Sequence, residues 1–348
     1  MDLTVTKFTG CLIVIILYIL AIRSPIVGRA QIVFGALYFS TCGRLGFDTL
    51  AYKWLIEEQR LGRFGWLWEH LGNLYDLTQI WWSIHLFVYT ILVTSFYRLS
   101  ATSAYPSLVF AMFISLPGIG FSYLSVVRQA LAIGLLIHGF IELRKRSWFS
   151  GVVLMLTAVL SHSSCFPWVI GFSVMSLRET YLKKVQIILI SGLSLMLSAF
   201  ILSIEPIFEN LRFRVLIDGY VSDQRVTESG AWLTTFWIVL GAISILLKYI
   251  NDAKGANWII TLRIVCICGM YTFAFVRYGE LVRIVWYALP LLVCDVVGYF
   301  KSNQKTGVSD LIRLATISSV CLLSMYPLYV APDHYWQNQY PFYWNLLD

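Results

Sequence analysis

Long apolar runs recur along almost the entire chain of 348 residues, and they constrain its fold more than any other feature. A helix that crosses a bilayer needs about 20 mainly apolar residues, and about eleven to twelve runs qualify. Only 13% of the residues are charged, whereas a soluble domain is typically about 25% charged. We therefore predict an all-α, polytopic bundle of transmembrane helices that forms one membrane domain over residues 1–348, with two long polar segments on its outer face.

Residues 121–141 form the most informative run, because a polar pair interrupts it. Arg128 and Gln129 lie about a turn or two inside the first end of an otherwise apolar stretch. A charge near the centre of a span costs roughly 2.5–3.5 kcal/mol on insertion scales, so this arginine requires a reason. Small residues such as Ala130 and Gly134 follow and would let neighbouring helices approach closely. The arginine either binds phosphate or carboxylate oxygens or forms a structural ion pair with another helix.

The neighbouring runs predict the local order of elements. Residues 79–97 and 148–161 are each predicted to form a span. Residues 166–177 are short for a full crossing and are interpreted as a tilted span or a re-entrant piece. Residues 46–78 form the first long polar segment, in which 49–59 are predicted to be a short helix on the membrane surface.

The distribution of basic residues predicts the orientation. Short loops rich in lysine and arginine follow alternate spans and belong in the cytoplasm by the positive-inside rule. The opposite face carries both long polar segments and six arginines: Arg128, Arg212, Arg214, Arg225, Arg277 and Arg283. These arginines violate a rule that depletes this face of positive charge, and an anionic ligand on the outer face would explain them.

The outer arginines form the first group of candidate site residues. Arg128 and Arg283 lie just inside predicted spans, and Arg277 lies in a turn. Glu280, Arg283 and Tyr287 are spaced i, i+3 and i+7, which predicts that they share one helix face. The alternative is a salt-bridge network that only stabilises the bundle.

Two further candidates have polar side chains at the outer face. Asp48 and Tyr52 are spaced i and i+4, and Asp48 either acts as a general base, binds sugar hydroxyls or caps a helix. His162, followed by Ser163 and Ser164, interrupts an apolar run. A histidine titrates near neutral pH and can hold a phosphate or transfer a proton; the alternative is a buried, hydrogen-bonded histidine at a helix end.

Motifs of several other enzyme classes are absent from the sequence. It contains no HExxH, carboxylate-pair metal motif, GxSxG, P-loop, GxGxxG or DxD. Its seven cysteines include no metal-type CxxC pair, and we interpret them as small core residues. We therefore predict no metal site, no cofactor and no nucleic-acid partner.

Aromatic residues make up 16% of the chain. Several lie in outer polar segments: Trp66, Trp68, Tyr335, Trp336, Tyr340, Tyr343 and Trp344. Their flat apolar faces suit packing on sugar rings, and the alternatives are an interfacial belt or a folded lid.

Five short motifs follow one another along nearly the whole chain. They are Gly46-Phe47-Asp48 with Tyr52, Val127-Arg128-Gln129-Ala130-Leu131-Ala132, Ser161-His162-Ser163-Ser164, Arg283-Ile284-Val285-Trp286-Tyr287 and Tyr340-Pro341-Phe342. In this order they resemble the EpsG/Wzy-type bacterial polysaccharide polymerases, which make O-antigen and exopolysaccharide. The resemblance implies a multi-pass glycosyltransferase in the bacterial inner membrane whose active face is periplasmic.

The resemblance also implies the substrate and the roles of the candidate residues. The growing glycan would be transferred from its undecaprenyl diphosphate to an incoming undecaprenyl-diphosphate-linked repeat unit, releasing undecaprenyl diphosphate. Arg128 and Arg283 would clamp the diphosphate, Asp48 would be the general base, and Glu280 would be the second choice for that base. The predicted catalytic set also includes His162, and the predicted substrate-binding set is Gln129, Tyr52, Arg277, Tyr287 and Arg214.

Two rival functions fit the same features of the sequence. A flippase for lipid-linked oligosaccharide would also need a basic cavity, but its charges should line a path visible from both faces. An O-antigen ligase differs in its acceptor, which the sequence does not show. Membrane lipid is an expected partner, and a chain-length regulator protein is a partner that the sequence leaves open.

Overall fold

The computed structural model describes residues 30, 32, 33, 36, 54–80, 82–103, 106, 109, 110, 113, 127–176, 238–242, 267 and 285–302. All regular structure in these ranges is helical, in agreement with the all-α prediction. The α-helices with described bounds are α1 (Trp66–Thr78), α2 (Trp82–Ser100), α3 (Val127–Arg144), α4 (Trp148–Ser161), α5 (Phe166–Met175) and α6 (Leu289–Ser302). Among these described residues, no helix combines the length and apolar character needed to cross a membrane.

The chain divides into two compact units. The first comprises Met1–Phe166 with Phe300–Asp348, and its described part contains α1 to α4. The second comprises Pro167–Tyr299 and contains most of α5 and of α6. A single membrane domain over the whole chain stays a prediction.

In the first unit, α3 packs against both α2 and α4, and glycines bring these backbones together. A Cβ atom added to Gly134 would lie 3.1 Å from the backbone nitrogen of Leu92 on α2. Gly139 and Gly151 oppose each other between α3 and α4, since a Cβ atom on Gly151 would lie 3.1 Å from the carbonyl oxygen of Gly139. The prediction that small residues after Arg128 allow a close helix approach is confirmed.

Replacing Gly139 with alanine is expected to lower the thermal stability of the protein. The new methyl group would lie 2.8 Å from Met155 Cγ and 3.0 Å from the carbonyl oxygen of Gly151, and that backbone oxygen moves only if the helices separate. Overpacking of this kind costs about 1–3 kcal/mol. Gly72→Ala on α1 is the matched control, because the nearest atom would be 3.9 Å away and alanine favours a helix by up to about 1 kcal/mol.

The two melting temperatures, measured on purified protein in detergent, decide this prediction. Gly139→Ala should melt below the wild type and Gly72→Ala at or above it. If both variants melt at the same temperature, the close approach of α3 and α4 does not contribute to stability.

The predicted helix bounds are right at α4 and differ at α2. α4 coincides with the predicted run 148–161. α5 occupies 166–175 of the run 166–177, and the interpretation of that run as a tilted span or a re-entrant piece stays a prediction. α2 begins later than the predicted residue 79, because Gln79 has a left-handed φ of 55° and ends α1. It continues to Ser100, so its last turn contains Arg98.

The described part of the polar segment 46–78, which begins at residue 54, contains more helix than predicted. It contains a 3-10 helix, Leu61–Phe64, and the whole of α1. The predicted surface helix at 49–59 is represented in the described residues by a single turn at 54–57. Gly65 joins the 3-10 helix to α1 with φ 109° and ψ 174°, a backbone conformation that is essentially restricted to glycine. The chain therefore turns sharply into α1.

Candidate functional site

Arg128 lies in the first turn of α3, where its guanidinium stacks on Phe64. The Cζ atom of Arg128 is 4.0 Å from the centre of the Phe64 ring, and the arginine side chain is partly buried. A cation–π contact uses the face of the guanidinium, whereas the N–H donors project from its edge. The contact therefore fixes the plane of the guanidinium and the direction of its N–H donors. Residues 121–126 of the predicted span lie outside the described residues.

One hydrogen bond connects α1 to the end of α4, and a second connects that end of α4 to the first turn of α3. The indole Nε1 of Trp68 donates to the carbonyl oxygen of Ser161 at 3.0 Å, and Ser161 Oγ donates to the carbonyl oxygen of Arg128 at 3.1 Å. Both Trp68 and Ser161 are buried. A buried carbonyl that loses its partner costs about 1–3 kcal/mol. Trp68 and Ser161 thus fix the position of Arg128 relative to α1 and α4.

His162 follows α4 directly and lies near Arg128. Its Nδ1 atom is 2.6 Å from Ser164 Oγ. Burial, together with the positive charge of Arg128, lowers the pKa of His162 to about 4. The imidazole is therefore neutral near pH 7. The structure brings together Arg128 and His162, two of the predicted site residues.

The lowered pKa of His162 predicts how stability depends on pH. Between pH 6.5 and about 4 the unfolded chain binds a proton at this histidine and the folded chain does not. Stability is therefore complete above about pH 6.5 and should fall on acidification by about 1.4 kcal/mol per pH unit from this group. His162→Gln should remove this component, which thermal unfolding of both proteins between pH 7 and pH 5 would measure. Parallel stability curves would contradict the buried neutral imidazole.

The opposite end of α3 carries a different arginine contact. Arg98 on α2 donates through Nη2 to Glu142 Oε1, and its Nη1 donates to His138 Nδ1 at 2.8 Å. Arg128 and Glu142 are fourteen positions apart along α3, which corresponds to about 21 Å. Arg98 thus forms an ion pair between two helices, which is the structural role that the sequence leaves open for Arg128. Arg98 therefore provides a matched control for substitutions of Arg128.

The two tryptophans of α1 have different environments. Trp68 is 0% exposed, so its ring belongs to the folded core and is closed to a sugar. Trp66 is 63% exposed. The other aromatic residues in this prediction, from Tyr335 onward, lie outside the described residues.

The remaining predicted site residues are only partly described. Gln129 adjoins Arg128 and is buried. Tyr287 is buried in the second unit, in a 3-10 turn at 285–287 that precedes α6. Its shared helix face with Glu280 and Arg283 stays a prediction. The following predicted residues lie outside the described residues: Asp48, Tyr52, Arg214, Arg277, Glu280 and Arg283.

Two contact residues of Arg128 were not predicted to take part in the site. Phe64 lies in a segment interpreted as polar, and no spacing rule connects it to residue 128. Ser161 belongs to the motif around His162, which is the only signal in the sequence for its role. Within the described ranges, no cluster of three or more histidine, cysteine, aspartate or glutamate residues could hold a metal ion.

A protein-family comparison defines the class of this protein. Residues 31–343 match a family of Wzy-type polysaccharide polymerases, which are membrane glycosyltransferases of polysaccharide biosynthesis. The chain belongs to the EpsG family. The resemblance seen in the five motifs is thereby confirmed. Neither curated proteins nor solved structures give a significant match.

Proposed function

We propose that this polymerase joins undecaprenyl-diphosphate-linked oligosaccharide repeat units at the periplasmic face of the bacterial inner membrane. The observation that carries the proposal is the placement of Arg128. Its guanidinium is held by its face against Phe64, and it lies beside neutral His162 in the first turn of a helix. The planar guanidinium of an arginine in a fixed position can form a bidentate contact with phosphate oxygens, which suits a diphosphate.

The proposed reaction transfers the growing glycan between two lipid carriers. A hydroxyl of the non-reducing-end sugar on the incoming repeat unit attacks the anomeric carbon that bears the donor diphosphate. A new carbon–oxygen bond forms, the bond between the anomeric carbon and the diphosphate oxygen breaks, and the hydroxyl proton passes to a base. Undecaprenyl diphosphate leaves with the bonding electrons. Positive charge beside the leaving oxygen is therefore the main electrostatic requirement.

Neutral His162 would add a hydrogen bond to a phosphate oxygen or to the departing group. The protonated, positively charged imidazole would be unfavourable beside Arg128, in agreement with the lowered pKa of His162. The proposal gives the base role to Asp48, with Glu280 as the alternative, and a second clamping role to Arg283. Gln129, Tyr52, Arg277, Tyr287 and Arg214 are proposed to bind the substrate.

The glycan pattern of a deletion strain tests the proposed function. The strain is complemented with the wild type or with Arg128→Ala, and the membrane level of each protein is checked. Arg128→Ala should yield surface glycan with a single repeat unit, because translocation and ligation continue while polymerisation stops. An unchanged ladder of polymer lengths would contradict the diphosphate clamp.

The same experiment separates the rival functions. If the single-repeat glycan also disappears from cells that lack the wild-type protein, the protein acts before or at ligation. That result would favour the flippase or the ligase over the polymerase.

A further inference from the structure

The exposed side of α1 combines an aromatic ring with short polar side chains. Trp66 is 63% exposed, and its ring centre is 4.3 Å from that of His70 at an interplanar angle of 42°. Glu69, His70 and Asn73 are also exposed. The spacings i, i+3, i+4 and i+7 from Trp66 place all four residues on one side of the helix. We call these four residues the α1 outer face.

The α1 outer face adjoins the Arg128 site. Only Gly65 separates Trp66 from Phe64, so their Cα atoms are at most about 7 Å apart. The Phe64 ring in turn contacts the Arg128 guanidinium. On the other side of α1, the hydrogen bond from Trp68 to Ser161 holds the helix against α4. Trp66 therefore keeps a fixed position close to the proposed diphosphate site.

We propose that the α1 outer face binds the sugar rings nearest to the diphosphate of the lipid-linked repeat unit. This inference rests on the proposed function, because the sugar that is bonded to a diphosphate at Arg128 must lie within a few ångströms of that site. The indole of Trp66 packs on the apolar face of a sugar ring. Glu69 and Asn73 exchange hydrogen bonds with its hydroxyl groups.

The chemistry of this surface favours a neutral, hydroxyl-rich ligand over the other parts of the substrate. α1 contains no lysine or arginine, and the carboxylate of Glu69 would repel a phosphate. A polyprenyl chain prefers an uninterrupted apolar surface. The α1 outer face, in contrast, alternates one ring with polar groups.

The test measures steady-state kinetics of the full chain in nanodiscs. The substrate is the cognate repeat unit linked to undecaprenyl diphosphate, isolated from the polymerase-deletion strain. Trp66→Ala should raise KM about tenfold, or about 1.4 kcal/mol, with little change in kcat, because the contact exists in ground and transition states alike. Trp66→Phe, which keeps a ring, should recover most of the lost affinity.

Trp148→Ala is the matched control. Trp148 is 51% exposed at the start of α4, about 20 Å along that helix from Ser161. If both alanine variants raise KM equally, or if Trp66→Ala leaves KM unchanged, the sugar contact is overturned.

Inhibition by undecaprenyl diphosphate, which lacks sugars, separates this inference from the proposed function. It should inhibit the wild type and Trp66→Ala with equal potency, which would support a sugar contact distinct from the diphosphate site. A lower potency against Trp66→Ala would overturn the assignment of Trp66 to the sugar. Failure to inhibit the wild type would overturn the proposed diphosphate site itself.

Discussion

Arg128→Lys is expected to abolish polymer formation while the folded protein remains in the membrane. Lysine keeps the positive charge but loses the planar set of donors that binds two phosphate oxygens at once, and it loses the flat face that stacks on Phe64. Removing one well-placed donor to a developing charge typically lowers kcat by about 10²–10³. We expect a rate loss of at least that order, measured as polymer formed per unit of protein in isolated membranes.

Arg98→Lys provides the control for this prediction. Arg98 pairs with Glu142 and His138 at the opposite end of α3, where an ammonium group still forms an ion pair. The variant should therefore retain polymerisation, with some loss of stability. An equal loss of activity in both lysine variants would show that Arg128 acts through the stability of the bundle and not through a ligand.

Trp68→Ala is expected to have the largest effect on stability. The side chain is fully buried, and replacing a buried tryptophan with alanine costs about 3–5 kcal/mol. The variant also removes the hydrogen bond to Ser161, whose hydroxyl holds the backbone of Arg128. We therefore expect a much lower yield of folded protein and a large decrease in its melting temperature.

Trp68→Phe separates the hydrogen bond from the packing. The ring remains, but the buried carbonyl of Ser161 loses its donor, at a cost of about 1–3 kcal/mol. Trp66→Ala, a substitution of an exposed tryptophan on the same helix, should change stability by less than about 0.5 kcal/mol. Similar melting temperatures for Trp68→Phe and the wild type would contradict the role of this hydrogen bond in positioning α3.

Apolar runs were sufficient to predict the helices that have little polar interruption. α4 and α5 were located because hydrophobicity changes sharply at Trp148 and Phe166. α1 was missed because it lies in a sequence with several charged residues. Trp68, Leu71 and Tyr75 are spaced i, i+3 and i+7, and this apolar stripe would have indicated an amphipathic helix.

The site was predictable in its residue types but not in its contacts. A charge inside an apolar run is costly, which indicates a function for Arg128, and His162 interrupts another apolar run. Phe64 stacks on Arg128, and hydrogen bonds link Trp68 to Ser161 and Ser161 to Arg128. The residues of each pair are 33 to 93 positions apart in the sequence. Such contacts depend on tertiary packing, which hydrophobic periodicity does not specify.

Binding of undecaprenyl diphosphate tests the central claim most directly. Its Kd is measured in nanodiscs for the wild type, Arg128→Lys and Arg98→Lys, with undecaprenol as the ligand that lacks the diphosphate. The wild type and Arg98→Lys should bind the diphosphate much more tightly than the alcohol, and Arg128→Lys should lose most of that preference. If Arg128→Lys binds undecaprenyl diphosphate as tightly as the wild type does, the diphosphate does not bind at the start of α3.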